Sequence, residues 1–495
     1  MYFQIFDAMK NLLNLNTLFF MLVGTIFGTI IGILPGLSST MGVALLIPFT
    51  FKIDPAAGLC MLGAVYCSSV YGGSITAILI NTPGTTASIA TAWDGYELTK
   101  KGLGGEAIIV STFSSAIGGL FSAVCLLLIA PPLASFSLFF GPAERFFLAI
   151  FGLSIVVNLV SKNLVKGIIA CVFGLIIAST GMDPMTGDFR FTFGEISLYG
   201  GIPLLPALIG LFSISQALIL IESKSIKKST SNKNVLGRFI PTFKRLIKPL
   251  WTTIVRSSII GTIIGIIPGV GTGVASILCY NEAKRASKNP EEFGKGTIVG
   301  VAASESGNNA VTGGSLIPLL SLGIPGNAVS AIFLGGLMIH GLIPGPALFT
   351  DHGLITYTLI ISLFLSNILM IFIGLWLARY SMILVSVSDN ILAPLIIVFS
   401  TIGCFAMRNN IFDVYLMFIF GLLGYIMKKT DFPAPPIILS LVLGQMAESE
   451  LRRALTIYHG NIIQIFTRPI CLIMIAIIIF SLLIPIINER KYLKN

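Results

Sequence analysis

Two matching stretches of apolar helix-like sequence are each broken by Pro-Gly, and a second matched break follows each. Residues 28–36 read GTIIGILPG and residues 261–269 read GTIIGIIPG, with Pro35 and Pro268 lying 233 residues apart. Downstream, Gly72-Gly73-Ser74 leads to Asn81-Thr82-Pro83-Gly84, and Gly313-Gly314-Ser315 leads to Gly323-Ile324-Pro325-Gly326. Proline removes a backbone donor and disfavours helix at the residue before it. An unpaired backbone group in hydrocarbon costs several kcal/mol, so such a break survives there only inside protein or along a watery cavity. Gly/Pro-interrupted apolar segments at corresponding places of two halves point to a transporter's binding site.

The apolar setting is clear from composition. Hydrophobic residues make up 55% of the chain and charged residues 11%, against roughly 25% charged in an ordinary soluble domain. Mean hydropathy is +0.94. Runs such as 17–34, 107–130, 354–377 and 468–487 approach or exceed the roughly 20 residues a spanning helix needs. The expected fold is an all-α polytopic membrane protein with 10 to 14 spans. Continuous Ile/Leu/Phe/Val runs argue against a transmembrane β-barrel, whose strands alternate apolar and polar residues. The N-terminus lacks the basic region and cleavage site of a signal peptide. Seven scattered cysteines form no CxxC pair and read as small packing residues.

The repeats divide the chain into 1–222, a basic linker at 223–249 and 250–495. The linker carries eight Lys and Arg between Lys224 and Lys248 and no acid. That marks it as cytoplasmic rather than as a nucleic-acid surface. Arg145, Lys166, Arg256, Arg379 and Arg408 sit at the ends of apolar runs and read as snorkelling anchors. An inverted arrangement of the halves is expected, because it brings two broken elements to one midplane site from opposite faces.

Four sets of residues are candidates for that site. At the first break, Pro35 and Gly36 end one helix and Ser38 or Ser39 can cap the next, with Thr40 following. At the second, Pro268 and Gly269 precede Gly271 and Thr272, where the backbone is open to close approach. The segments 74–92 and 315–339 read as re-entrant hairpins. One tip holds Asn81, Thr82, Pro83, Gly84 and Thr85; the other holds Pro325, Gly326 and Asn327. Helix starts and neutral hydroxyl and amide groups suit a carboxylate. A single Pro-Gly would read as a plain kink, and either tip alone as a surface turn, but two matched pairs favour a site. Glu305 is an acid embedded in apolar sequence with no acidic counterpart in the first half. Such a residue is a functional candidate by default. With Asn308, Asn309 and Thr312 it offers hard oxygen ligands for Na⁺. A carboxylate at the lipid interface is the simpler alternative.

Taken together, GILPGLSSTMGVALLIPFTF at 32–51, YGGSITAILINTPGT at 71–85, GIIPGVGTG at 265–273, ESGNNAVTGGSLIPLLSLGIPGN at 305–327 and GGLMIHGLIPGPALF at 335–349 resemble the large membrane subunit of the tripartite tricarboxylate transporters, the TctA family. The resemblance runs along essentially the whole chain. It implies a secondary transporter of the bacterial inner membrane that imports tricarboxylates such as citrate, or related carboxylates. It also implies a periplasmic substrate-binding protein and a small membrane subunit as partners, and coupling to a cation gradient, commonly Na⁺. A stand-alone Na⁺- or proton-coupled anion carrier is the alternative reading, and a channel a more distant one. Paired tips suit an elevator-like motion. No nucleophile–His–acid set or P-loop supports an enzyme or an ATP-driven pump, and no cofactor other than a coupling ion is expected.

Overall fold

In the computed structural model, residues 2–160, 164–183, 186–222 and 248–492 are described. The basic linker expected at 223–249 lies almost wholly outside them. Eighteen longer helices carry the chain. They are α1 (Tyr2–Leu12), α2 (Leu15–Ile33), α3 (Ser39–Thr50), α4 (Pro55–Ile80), α5 (Ile89–Lys100), α6 (Gly104–Phe136), α7 (Pro142–Val160), α8 (Leu164–Ala178) and α9 (Leu204–Glu222). After the linker come α10 (Trp251–Ile266), α11 (Gly271–Ala286), α12 (Ile298–Leu322), α13 (Ala328–Ile339), α14 (Gly353–Ala378), α15 (Asp389–Arg408), α16 (Ile411–Lys429), α17 (Pro435–Ile457) and α18 (Pro469–Tyr492). The only sheet among the described residues pairs Gly181 with Arg190 and Met182 with Phe189, antiparallel. Seven helices among the described residues are long and apolar enough to cross a bilayer, and five shorter ones are apolar over 10–17 residues. Their solvent-facing positions are filled by large apolar side chains such as Phe19, Ile168, Phe372 and Ile419, the surface a lipid-immersed helix presents.

The helices α2 to α6 and α10 to α14 follow one another in the same order with the same interruptions. Helix α2 ends at Ile33 and α10 at Ile266, where Leu34 and Ile267 still donate to Ile30 and Ile263. Gly36 (φ +91°) and Gly269 (φ +86°) then turn the chain through the left-handed region, which glycine adopts without penalty. Ser38 caps α3, its Oγ accepting the Met41 N–H at 3.2 Å. Helices α4 and α12 end in left-handed caps at Asn81 and Gly323, Asn and Gly being the residues that tolerate this geometry.

The chain forms two compact units, each drawing on both halves of the sequence: residues 1–134 with 216–403, and residues 135–215 with 404–495. In each, helices of one half pack on helices of the other. In the first unit, α4 packs on α14, with Gly374 against the Tyr71 ring. Reciprocally, α12 packs on α6, with Gly118 against the Ser306 backbone and Gly313 against Ser122. The first unit also holds the core built from Tyr71, Ile75, Ile78, Ile108, Val301 and Met370. In the second unit, Gly174 of α8 lies against Ile437 and Ser440 of α17, and Gly210 of α9 against Met417 and Phe420 of α16.

The second unit also carries charge that the sequence did not mark. Arg190 pairs with Glu448 (2.7 Å), and Arg452 reaches both Asp183 (2.7 Å) and Glu448 (2.8 Å), tying the short hairpin to α17. Two expected snorkelling anchors of this unit have protein partners. Arg145 lies 4.0 Å from Glu450, and Lys166 donates to the Thr430 carbonyl at 2.6 Å.

Candidate functional site

The two Pro-Gly tips close on the glycines of their own copy in the same way. A Cβ added to Gly84 would run into the Gly32 carbonyl oxygen and stand 2.8 Å from Gly73 Cα. A Cβ added to Gly326 would meet the Gly265 carbonyl oxygen and stand 2.8 Å from Ser315 Cα. Backbone therefore lies on backbone, and only glycine permits it. Hydrogen bonds fix both tips: Gly84 N–H donates to Gly73 O (3.2 Å), and Gly269 N–H donates to Gly326 O (2.7 Å). The second break and the second tip are thus joined directly. The start of α11 also reaches the first tip, since a Cβ on Gly273 would lie 3.1 Å from Thr86 O.

The substrate-site candidates consequently fall in distinct surroundings. Gly84, Thr85, Gly326 and Asn327 are buried, and so is Pro325; Pro83 and Thr82 are half-buried. Thr82 Oγ1 donates to Ile80 O at 3.3 Å. Asn327 caps α13 in a reciprocal box with Ser330: its Oδ1 accepts the Ser330 N–H at 2.9 Å, and Ser330 Oγ accepts the Asn327 N–H at 2.9 Å. Its Nδ2 donates to Tyr66 Oη at 2.6 Å, and that hydroxyl lies 3.0 Å from Ser315 Oγ. Gly271 and Thr272 open α11 and are half-buried, as is Thr40, while Ser38 is exposed and Ser39 buried. Asn81 is exposed, and its left-handed backbone gives it a structural role alongside any contact with a ligand.

Glu305 lies deep in the protein, with no exposed surface. Four hydroxyls donate to its carboxylate: Ser74 (2.6 Å) and Thr91 (2.5 Å) to Oε1, Ser111 (3.2 Å) and Ser115 (2.8 Å) to Oε2. They come from α4, α5 and α6, so every donor belongs to the half that has no matching acid. Four accepted bonds use the acceptor capacity of a carboxylate. The three residues grouped with Glu305 do not bond to it. Asn309 Nδ2 donates to Ser115 O (3.1 Å) and Asn367 Oδ1 (3.2 Å), and Thr312 Oγ1 donates to Asn309 O (2.7 Å). Asn308 is completely buried with neither amide atom hydrogen-bonded by protein, and Thr85 Oγ1 and Asn309 Oδ1 share that state.

Ser74, Thr91, Ser111, Ser115 and Tyr66 were not marked as ligands by the sequence. Ser111 and Ser115 at i and i+4 share a helix face, which is the one local signal they carry. Asp94 was missed as well. Fully buried on α5, its Oδ1 accepts the N–H groups of Gly294 (2.8 Å), Gly296 (2.8 Å) and Thr297 (3.1 Å). It thereby holds, from the other copy, the turn leading into α12, whose own N-cap is Thr297, accepting the Val299 N–H.

A helical membrane protein in which two broken-helix copies close their tips on glycine backbone, around a buried polar interior, has the build of a transporter. The chain belongs to the tripartite tricarboxylate transporter TctA family, whose pattern it matches over residues 18–439. Two relatives come from Agrobacterium vitis. An uncharacterized 52.8 kDa protein in the TAR-I ttuC' 3'region is 36% identical over 474 residues, covering 95% of this chain and 93% of the relative. An uncharacterized protein in the TAR-II ttuC' 3'region is 36% identical over 234 residues, covering 47% of this chain and 97% of the relative. No solved structure matches the chain.

Proposed function

We propose that this chain is the large membrane subunit of a binding-protein-dependent secondary transporter that imports a tricarboxylate or related carboxylate across the bacterial inner membrane, coupled to a cation gradient, with Na⁺ as the coupling ion. A periplasmic substrate-binding protein delivers the ligand and a small membrane subunit completes the complex. The observation that carries the reading is the pair of equivalent tips, Gly84 on Gly32 and Gly326 on Gly265, in a chain of the TctA family. In this reading the two copies are inverted repeats and the tips are re-entrant. The carboxylate is held by N–H groups at the starts of α3 and α11, by Ser38, Ser39 and Thr40, and by the tip residues Asn81, Thr82 and Asn327. Neutral donors of this kind bind a carboxylate without a buried cation whose release would be costly.

The test is uptake into proteoliposomes holding this chain and the small subunit, with the binding protein and a radiolabelled carboxylate outside. Accumulation above equilibrium under an inward Na⁺ gradient, lost when the gradient or the binding protein is removed, supports the reading. Uptake that only equilibrates, and persists at the same rate without a gradient, overturns it in favour of a channel.

A further inference from the structure

Besides Glu305, the two copies differ at another buried place. In the second copy, Asn327 of the tip is bonded to Tyr66, which reaches across from α4, and Tyr66 meets Ser315. The matched tip glycines, Gly84 and Gly326, make Thr85 the counterpart of Asn327 and Gly73 the counterpart of Ser315. The same spacing of 242 residues makes Asn308 the counterpart of Tyr66. At this second place the polar atoms face no protein partner: Thr85 Oγ1 and both amide atoms of Asn308 are buried and unbonded. Leaving such atoms without any partner costs about 1–3 kcal/mol each, so two counterpart residues in this state at one level of the fold point to a ligand.

Helix register brings them together. Ser74 meets Glu305 and Cys67 meets Thr312, so α4 and α12 run antiparallel and Asn308 falls beside residues 70–73. Thr85 Oγ1 lies 2.6 Å from where a Cβ on Gly73 would stand. Thr91 meets Ser304, and Asp94 lies against Gly300, so α5 also runs antiparallel to α12 and the Thr86–Ser88 turn reaches the level of Asn308. On α11, Ala275 packs with Val311 and Cys279 against Gly307. This register sets Ser276, whose Oγ is also buried and unbonded, level with Ala310, about 3 Å along the helix from Asn308.

We propose that Thr85, Asn308 and Ser276 supply oxygen ligands to one site for a hard monovalent cation, and that Tyr66 occupies the equivalent place in the other copy. The proposal rests on the cation-coupled reading of the transporter and gives that coupling a location. Three neutral oxygens from three elements form the donor set that a hard cation takes. The sign of the ligand follows from Glu305, one turn before Asn308 on the same helix face. In its ionised form, with four hydroxyls donating to it, its field attracts a cation and repels a carboxylate. A single site, rather than a symmetric pair, follows because the Tyr66 phenol holds the other position with its own hydrogen bonds.

The experiment is thermal unfolding of the purified full chain, without carboxylate, titrated with NaCl, LiCl or KCl against choline chloride at constant ionic strength. A ligand that binds only the folded state raises the melting temperature with saturation. A saturable, Na⁺-selective rise is expected in the wild type. In Thr85→Val and in Asn308→Leu it is expected to be lost, or to need more than about ten times the Na⁺, one factor of ten being 1.4 kcal/mol. Tyr66→Phe is expected to keep it. No Na⁺-specific rise in the wild type, or an undiminished rise in both Thr85→Val and Asn308→Leu, overturns the site. Vesicles that fail to take up carboxylate while the Na⁺ response stands would end the transport reading and leave the site supported.

Discussion

Replacing Gly84 by Ala tests the backbone-on-backbone closure of the first tip. The glycine lies outside the left-handed region, so an alanine suffers no dihedral penalty and reduces unfolded-state entropy, a gain of about 0.4–1 kcal/mol. The new methyl would, however, overlap the Gly32 carbonyl oxygen and stand 2.8 Å from Gly73 Cα, both of them backbone. No side-chain rotation relieves this. Either the tip moves off α2 and α4, breaking the 3.2 Å bond from Gly84 N–H to Gly73 O, or the strain remains. Overpacking of this kind costs about 1–3 kcal/mol, and the lost bond about 0.5–1.5 kcal/mol. A net destabilisation of about 1–3 kcal/mol is expected. Gly326→Ala should do the same, its methyl meeting Gly265 O and standing 2.8 Å from Ser315 Cα. Gly200→Ala is the control, with nothing within 4 Å of its added Cβ, and should stay within about 0.5 kcal/mol of wild type. The assay is melting of the purified protein in one detergent, with uptake measured in parallel. The two tip variants should melt several degrees lower and transport poorly. A Gly84→Ala protein that melts and transports like Gly200→Ala would refute the closure.

Other consequences can be measured with the same preparations. Glu305→Ala leaves four buried hydroxyls without their acceptor and should destabilise by about 2–5 kcal/mol, an unsatisfied buried hydroxyl costing about 1–3 kcal/mol; the triple variant Ser74→Ala, Ser111→Ala, Ser115→Ala in the Glu305→Ala background should add little, and full additivity in melting would contradict the hub. Asp94→Ala removes the acceptor for three N–H groups in the turn before α12, with an expected cost of about 1–3 kcal/mol and faster amide exchange at residues 294–297. Arg190→Ala breaks a half-buried cluster with Glu448 and Asp183; exchange should rise at residues 181–190, with less than about 2 kcal/mol lost in melting, since each pair is partly screened.

Much of this structure could be read from residues whose effects are local. Pro35-Gly36 and Pro268-Gly269 break helices wherever they stand, and Ser38 caps the helix beyond the first of them, so both breaks were legible. Asn81 and Gly323 were legible as chain reversals for the same reason. Glu305 stood out because a lone acid in apolar sequence is rare. Its partners did not, because Ser74, Thr91, Ser111 and Ser115 are ordinary helix hydroxyls until tertiary packing turns them toward one carboxylate. Asp94 and the Arg190–Glu448–Arg452 cluster join residues about 200 to 270 positions apart, beyond the reach of any periodicity. The two compact units were hidden too, because the halves of the sequence pack reciprocally and each unit takes helices from both.

In the proposed transport reading, the two tips enter the membrane from opposite faces to reach one site. Single cysteines at Thr82 and Leu322, in a protein whose seven native cysteines are replaced, can be labelled with an impermeant maleimide from either side of oriented vesicles. Each position should label from a different face, and saturating carboxylate with Na⁺ should slow both reactions. Labelling of both positions from the same face, with no protection by substrate, would contradict it.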